Sequence, residues 1–320
     1  METKQNPFSV YDFLGYLLPG ALFIYLVLFG CAILGISWPN YLPIPVYLIK
    51  QPDSYIPFSI LAYIIGHTLS FLSSLIVERY ALWNFGYPSK FLLGVRPKSY
   101  LDGIPDDSHY KPRCFIRIFL SLVAFPFSSL DIILERLIKI RELYAKQLDP
   151  QITSLINRKI WIFIGVELGI FRHIISFDKG AKGTYKTNNV DIFRAIYHYV
   201  LHNFPSHTPS LKNYVSMYGF LRTITLMFTS LFWVGVLKLV GLSIEIFCAT
   251  KVQLVLVDKA LFVVGFVIIA WIASYVFFMG FVKFYRRYTL EALMALGANY
   301  SGAIPDGIKD PFAKRAFYSD

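Results

Sequence analysis

The sequence predicts a mainly α-helical, polytopic membrane protein that has four transmembrane helices in two hairpins and a central basic, mostly helical cytoplasmic domain. Three observations predict this class. Hydrophobic residues make up 56% of the chain and charged residues 16%, whereas soluble domains carry roughly 25% charged residues. Four apolar runs reach the length of about 20 residues that a membrane-crossing helix needs. Between the second and third runs, residues 83–215 carry 18 Lys and Arg against 10 Asp and Glu, hence +8 of the net charge of +11.

The first segment, residues 1–82, holds an N-terminal tail and the first hairpin. Its spans are predicted over about 17–37 and 57–80, because these runs are apolar and nearly free of charge. Pro19 is expected in the first turn of the first span, where a missing backbone N–H is tolerated.

The second span carries a ladder of small residues at every fourth position. Such residues share one helix face and let two backbones approach closely in lipid. We therefore predict a helix–helix seam at this small-residue ladder, which comprises Ala62, Gly66, Ser70 and Ser74. His67 lies beside it and is expected to be a neutral histidine bonded to a neighbouring helix. The alternative is a functional path, which ionisable side chains at that depth mark by default.

Residues 83–215 contain shorter apolar patches and helical patterns. The patches Ile118–Phe127 and Ile160–Phe171 are about 10–12 residues long, which is typical of core or interfacial segments rather than spans. One helix is predicted to open at Ser128–Asp131 and to stop at Pro150, and another is predicted over 190–204.

Two histidines on that last helix are the candidate metal ligands. His198 and His202 lie four residues apart, so they share a helix face, as a zinc site requires. The glutamate that lies between the histidines of a catalytic zinc helix is absent here. The sequence therefore predicts no cofactor, with zinc at these two histidines as the alternative to a polar helix face.

The second hairpin, residues 216–284, has spans predicted over about 219–241 and 260–282, followed by a cytoplasmic tail over 285–320. Lys238 is predicted to extend its ammonium group to the outer interface. The alternative is that it contributes to a polar pore lining.

The distribution of Lys and Arg predicts the orientation, because cytoplasmic loops carry the excess of positive charge. Both termini and residues 83–215 are accordingly placed in the cytoplasm. Asp12 then lies at the same inner interface as Arg222, Arg286 and Arg287. A partly dehydrated carboxylate needs a partner, so we predict an ion pair between Asp12 and one of these arginines.

Two short pieces resemble a group of poorly characterised bacterial inner-membrane proteins. Residues 11–20 read YDFLGYLLPG, like the start of those proteins, and Arg286-Arg287-Tyr288 with Glu291 is similar to their close. Some members of the group lie among genes for defence against phage. The resemblance implies an inner-membrane location and a defensive setting.

These observations favour a non-enzymatic inner-membrane effector that acts as an oligomeric pore or disrupts the membrane, and that is gated through its cytoplasmic domain. The first alternative is a membrane-tethered sensor or scaffold. The second is a metal-dependent membrane hydrolase, which is less favoured because the sequence contains no recognisable set of catalytic residues. The expected partners are the bilayer, including anionic lipids, and further copies of the chain. The basic domain would also suit a cytosolic protein or a nucleotide, with nucleic acid less favoured.

Overall fold

The computed structural model describes residues 12–33, 55–94, 110–139, 144, 146–167, 192–248 and 254–303. Every regular element in these ranges is helical, which confirms the predicted mainly α class. The helices are α1 (Leu18–Ile33), α2 (Tyr55–Ser73), α3 (Arg79–Phe85), α4 (Pro88–Phe91), α5 (Tyr110–Val123), α6 (Phe125–Ile138), α7 (Pro150–Val166), α8 (Ile192–Asn203), α9 (Thr208–Cys248) and α10 (Leu254–Asn299).

Four helical stretches of the described chain are long and apolar enough to cross a membrane. They are Phe13–Cys31, Tyr55–Phe91, Pro205–Phe247 and Leu256–Asn299. The four predicted spans are thus found as helices wherever the structure describes them. The bent pair formed by α5 and α6 would add a fifth crossing if it were a single broken span.

The described residues divide into two compact units. The first, here called the span unit, is drawn from Met1–Asn84, Ser99–Ile140 and Val215–Phe284. The second unit is drawn from Phe85–Lys98, Arg141–Tyr214 and Tyr285–Asp320. Of the described residues, 110–139 therefore fall in the span unit, and 285–303 fall in the second unit.

The span unit is held together by aromatic packing between its helices. The ring of Phe127 is fully buried and stacks on that of Phe278, with 4.6 Å between the centroids. Tyr80 meets the same Phe127 ring edge-on at 5.3 Å. Helices α9 and α10 pack against each other, with the rings of Phe228 and Phe277 stacked at 5.3 Å.

The second unit has a hydrophobic core of its own. Ile160–Ile164 of α7 are buried in it, so this part of the Ile160–Phe171 patch is core, one of the two roles predicted for it, whereas Val166 and Glu167 are exposed. The beginning of α9 and the end of α10 supply further core residues. The largest fully buried side chains of this core are Leu92, Ile156, Phe163, Ile196, Leu211, Leu293 and Leu296.

Two prolines occupy positions that differ from the prediction. The chain is already helical from Asp12, so Pro19 does not lie in the first turn of its helix. A wide π-helical turn over Phe13–Leu17 precedes it, which eases the clash of the proline ring with the preceding turn. Pro150 does not stop a helix but begins α7, with the Asp149 carboxylate accepting from the Gln151 N–H at 2.9 Å.

The helix predicted to run on from Ser128 is also shorter than expected. It is α6, which begins at Phe125 and ends at Ile138, where Lys139 adopts a left-handed conformation with φ of 49°. The helix predicted over 190–204 is confirmed as α8.

Candidate functional site

Arg222 on α9 lies inside the span unit with all three nitrogens of its guanidinium group engaged. The residue is only 9% exposed. Its Nη1 donates to the Glu78 carboxylate, its Nε donates to Ser73 Oγ at 3.0 Å, and its Nη2 lies 3.3 Å from the Ser70 carbonyl oxygen. Arginine suits this role because its planar group presents several donors in a fixed arrangement.

Glu78 reaches Arg222 because the helix is locally wider there. Residues Ser74–Glu78 form a π-helical turn between α2 and α3. A regular α-helix turns about 100° per residue, which would place Glu78 about 140° around the axis from Ser73. With hydrogen bonds from i to i+5, five residues make roughly one turn, so Glu78 returns to the side of Ser73.

Hydroxyl groups complete the surroundings of the pair. Ser73 and Thr223 are fully buried, and their hydroxyl oxygens lie 3.4 Å apart. Each also donates to a carbonyl one turn earlier in its own helix, Ser73 to Ser70 at 2.8 Å and Thr223 to Gly219 at 3.0 Å. The site is therefore a charged pair within a small polar pocket of an apolar helix bundle. We call the group Ser70, Ser73, Glu78, Arg222 and Thr223 the Arg222 cluster.

The first two residues of the small-residue ladder face the first span. Ala62 and Gly66 are buried. A methyl group on Gly66 would overlap the Tyr16 carbonyl, and one on Gly20 would overlap the Ala62 carbonyl. The two backbones thus touch at a pair of glycines that face each other's helix, which is the arrangement that small residues allow in lipid.

The last two residues of the ladder have other contacts. Ser70 Oγ lies 3.4 Å from Arg222 Nη2, so this serine belongs to the Arg222 cluster. Ser74 donates its hydroxyl to the Phe71 carbonyl in its own helix. Ala62 and Gly66 therefore contact the first span and Ser70 contacts α9, so the ladder is not a single seam.

The other intramembrane candidates lie apart from the Arg222 cluster in the chain. The His67 ring stacks on Tyr16 with 3.7 Å between the centroids and meets Tyr63 edge-on at 4.6 Å. Lys238 lies half-buried, sixteen residues after Arg222 on α9. These contacts do not decide whether His67 is a neutral packed histidine or part of a functional path. They also do not decide whether Lys238 extends to the interface or lines a pore.

The predicted pairing of Asp12 stays a prediction. Arg222, one of its three candidate partners, directs its guanidinium at Glu78. Arg286 belongs to the second unit, where its Nη2 donates to the Lys146 carbonyl at 3.3 Å. Arg287 is exposed.

The candidate metal ligands lie on α8 in the second unit. His202 is exposed and the His198 ring contacts Tyr197. Among the described residues no group of three or more His, Cys, Asp or Glu could hold a metal ion. A zinc site at these histidines therefore gains no further ligand from the described part of the chain.

A third histidine has a better-defined setting. His207 Nδ1 lies 2.8 Å from the Glu291 carboxylate, and the Asn299 amide nitrogen lies 3.3 Å from Nε2. An amide nitrogen only donates, so Nε2 accepts and Nδ1 carries the proton that is donated to Glu291. Glu291 belongs to the closing piece of the resemblance described above, and here it fixes the turn that leads into α9.

A tyrosine pair lies in the core of the same unit. Burial, helped by the negative charge of Glu167, raises the pKa of Tyr300 to about 12 and raises the pKa of Tyr199 as well. The rings of Tyr199 and Tyr300 lie 5.8 Å apart, and the Tyr300 hydroxyl donates to Glu167 at 3.5 Å. Both phenols are therefore neutral at physiological pH.

Sequence reasoning named Arg222 but missed Glu78 and Ser73 as its partners. Glu78 lies four residues after Ser74, at the spacing of the ladder, but this spacing alone does not identify it as the partner of Arg222. Comparison with protein-family models, with curated proteins and with solved structures finds no match to this chain.

Proposed function

We propose that the protein is a non-enzymatic membrane effector that alters bilayer permeability as an oligomer, with the Arg222 cluster as the latch that keeps it closed. The burial of the Arg222–Glu78 pair among apolar helices is the observation that carries the proposal. Ionisable residues inside a membrane are costly and mark ion or substrate paths by default. A bacterial inner membrane and a role in phage defence are the setting that the resemblance suggests.

Separation of α2 from α9 would break the Arg222–Glu78 pair. In the closed state each charge has its partner, and the serine and threonine hydroxyls satisfy the remaining polar atoms. If α2 moves away from α9, both charges lose their partner within hydrocarbon, where an unpaired ion is expensive. Water entering between the helices would relieve that cost, so the open state is hydrated and lined by the Arg222 cluster.

A signal that separates these helices would then open the path. In this proposal the second unit receives the signal, because it has a core of its own and continues directly into α9 and α10. The competing function is a membrane-tethered sensor or scaffold, which would use the same second unit to bind a cytosolic partner without conducting ions.

Leakage from liposomes tests the proposal. Purified protein is reconstituted with an entrapped fluorescent dye, and release is followed for the parent, for Glu78→Gln and for the double variant Arg222→Leu/Glu78→Leu. We expect Glu78→Gln to leak several-fold faster than the parent, because it strands Arg222. The double variant should be the tightest, since it replaces the pair with apolar packing. Equal leakage from all three, at the level of empty liposomes, would favour the sensor or scaffold.

A further inference from the structure

Helices α5 and α6 form a bent pair with arms of equal length. Each arm has 14 residues, and the pair is bent by 89°. Pro126 accounts for the break, because it lacks an N–H and its ring clashes with the preceding turn. An arm of about 21 Å inclined at about 45° reaches a depth of about 15 Å, which is half of the roughly 30 Å hydrocarbon layer.

Both arms contact the second span at the same height along its axis. Arg117 and Asp131 lie seven residues before and after Ala124, where the arms meet. The guanidinium carbon of Arg117 lies 4.9 Å from the Trp83 ring centroid, and Asn84 Nδ2 donates to the Asp131 carboxylate at 3.2 Å. In a broken span that crossed the bilayer, these two positions would differ in depth by about 15 Å. Neighbouring residues of one helix could not then contact both.

The bend itself lies level with the middle of two spans. Trp233 Nε1 donates to the Val123 carbonyl at 3.1 Å, and Trp271 Nε1 donates to Ser129 Oγ at 3.0 Å. Trp233 is in the charge-free part of α9 between Arg222 and Lys238, and Trp271 is central in the charge-free part of α10.

Backbone groups at the bend have partners inside the protein. The Val123 carbonyl at the end of α5 accepts from Trp233 Nε1, the Ala124 N–H donates to the Leu120 carbonyl at 2.8 Å, and the Ala124 carbonyl accepts from the Ser128 N–H at 2.9 Å. Irregular backbone at membrane depth is tolerated only where protein or water supplies such partners, because each unsatisfied group costs several kcal/mol in hydrocarbon.

Helices α5 and α6 each have an apolar face that no described part of the span unit covers. Large hydrophobic side chains project outward along α5 and along α6. They are Phe115, Ile118, Phe119 and Leu122 on α5, and Phe125, Ile132, Ile133, Leu137 and Ile138 on α6.

We infer that Tyr110–Ile138 is a re-entrant helical hairpin that enters the bilayer on the side of Trp83, turns at mid-depth and leaves on the same side. Its outer faces contact the acyl chains of that leaflet, because the bend is at span depth and the side chains on these faces are apolar and exposed. The chain therefore crosses the bilayer four times rather than five. The inference does not depend on whether the protein conducts ions.

Single cysteines test this topology. Cys31, Cys114 and Cys248 are first replaced by serine, and Tyr110→Cys or Ile138→Cys is then introduced. Residues 110 and 138 lie equally far along the chain from the bend. A membrane-impermeant maleimide, applied to intact cells and to inside-out vesicles, should label both from one and the same face. Labelling of the two from opposite faces would show a broken span and overturn the inference.

The depth of the bend is measured separately. A bimane fluorophore at Leu122→Cys should be quenched by lipids brominated near the end of the acyl chain as strongly as one at Ile272→Cys, an exposed position near the middle of α10. Quenching only by lipids brominated near the headgroup would mean that the pair lies in the interface. Cross-linking of Leu122→Cys between two copies, with loss of lipid quenching, would mean that a second copy covers this face. Either result would contradict the lipid assignment.

Discussion

At the scale of single residues, Arg222 carries the largest energetic consequence in the span unit. The side chains of Arg222 and Glu78 are 11% and 23% exposed, so each charge depends on the other rather than on water. Breaking a buried pair by removing one partner typically costs about 3–5 kcal/mol, whereas replacing both with apolar residues is often neutral. The pair is therefore a strong constraint on its two helices without being a large net source of stability.

We predict that Glu78→Gln lowers the free energy of unfolding in detergent by about 3 kcal/mol, because Arg222 remains buried without its carboxylate. Arg79→Gln is the matched control, since it lies one residue away but is exposed, and it should cost under about 0.5 kcal/mol. The double variant Arg222→Leu/Glu78→Leu should recover most of the loss. If Glu78→Gln and Arg79→Gln unfold alike, the pair is solvated and does not constrain the helices.

Tyr300 gives a pH dependence to the second unit. Its pKa is raised from 10.0 to about 12 in the folded chain, so folding favours the neutral phenol. The resulting stability is complete below pH 10 and is lost as the pH rises from about 10 to about 12. The two pKa units correspond to roughly 3 kcal/mol at most.

We therefore expect the parent to lose more stability between pH 9 and pH 12 than Tyr300→Phe, by up to about 3 kcal/mol, in denaturant unfolding followed by circular dichroism. Tyr87→Phe is the control, because Tyr87 is an exposed tyrosine of the same unit. Parallel pH profiles for the parent and Tyr300→Phe would show that the phenol ionises as easily in the folded chain as in the unfolded one.

The sequence could single out Arg222 but not its partner, and the reason is local geometry. The sequence shows a charged residue within an apolar run. It does not predict the π-helical turn that brings Glu78 to the side of Ser73, because no residue type requires such a turn. Likewise, the ladder spacing predicts close contact between helices. It cannot show that Ser70 contacts Arg222 whereas Gly66 packs against the first span.

At the scale of the elements, the first two spans are joined by backbone contact rather than by large side chains. Gly20 and Gly66 leave no room for a methyl group, since each faces a carbonyl of the other helix. Such close approach strengthens dispersion contacts, which drive helix association in lipid. The resulting seam also places Tyr16 over His67.

Gly66→Leu should therefore separate the first two helices and lower the melting temperature of the protein in mild detergent by several degrees, because the new side chain overlaps the Tyr16 backbone. Leu72→Phe is the matched control: it enlarges an exposed position on the same helix, and it should melt like the parent. An unchanged melting temperature for Gly66→Leu would show that the two helices do not pack at this glycine.

The sequence predicted that the spanning helices exist, but it did not predict where individual helices begin and end. Hydrophobic length alone predicts the four spans, because nothing else in the chain is as long and as free of charge. Pro19, Ser128 and Pro150 were misplaced because each is compatible with more than one position in a helix, and only neighbouring backbone decides between them.

At the scale of the whole molecule, composition predicts a membrane protein but not how its parts divide. Helices α5 and α6 pack with the spans although each is too short to cross a membrane alone, and the described part of the tail completes the core of the second unit. Long-range contacts such as the hydrogen bond from Trp233 to the Val123 carbonyl have no sequence signal, so the sequence could not predict them.

In the proposed function the protein opens the membrane to ions, and the Arg222 cluster holds it closed. The most direct test of this function is the membrane potential of living bacterial cells, followed with a voltage-sensitive dye during induced expression of the parent, of Glu78→Gln and of Arg222→Leu/Glu78→Leu at matched membrane levels. We predict that Glu78→Gln depolarises cells at a lower expression level than the parent, and that the double leucine variant leaves the potential intact. If Glu78→Gln and the parent both leave the potential unchanged at every expression level reached, the account of a latched pore is contradicted.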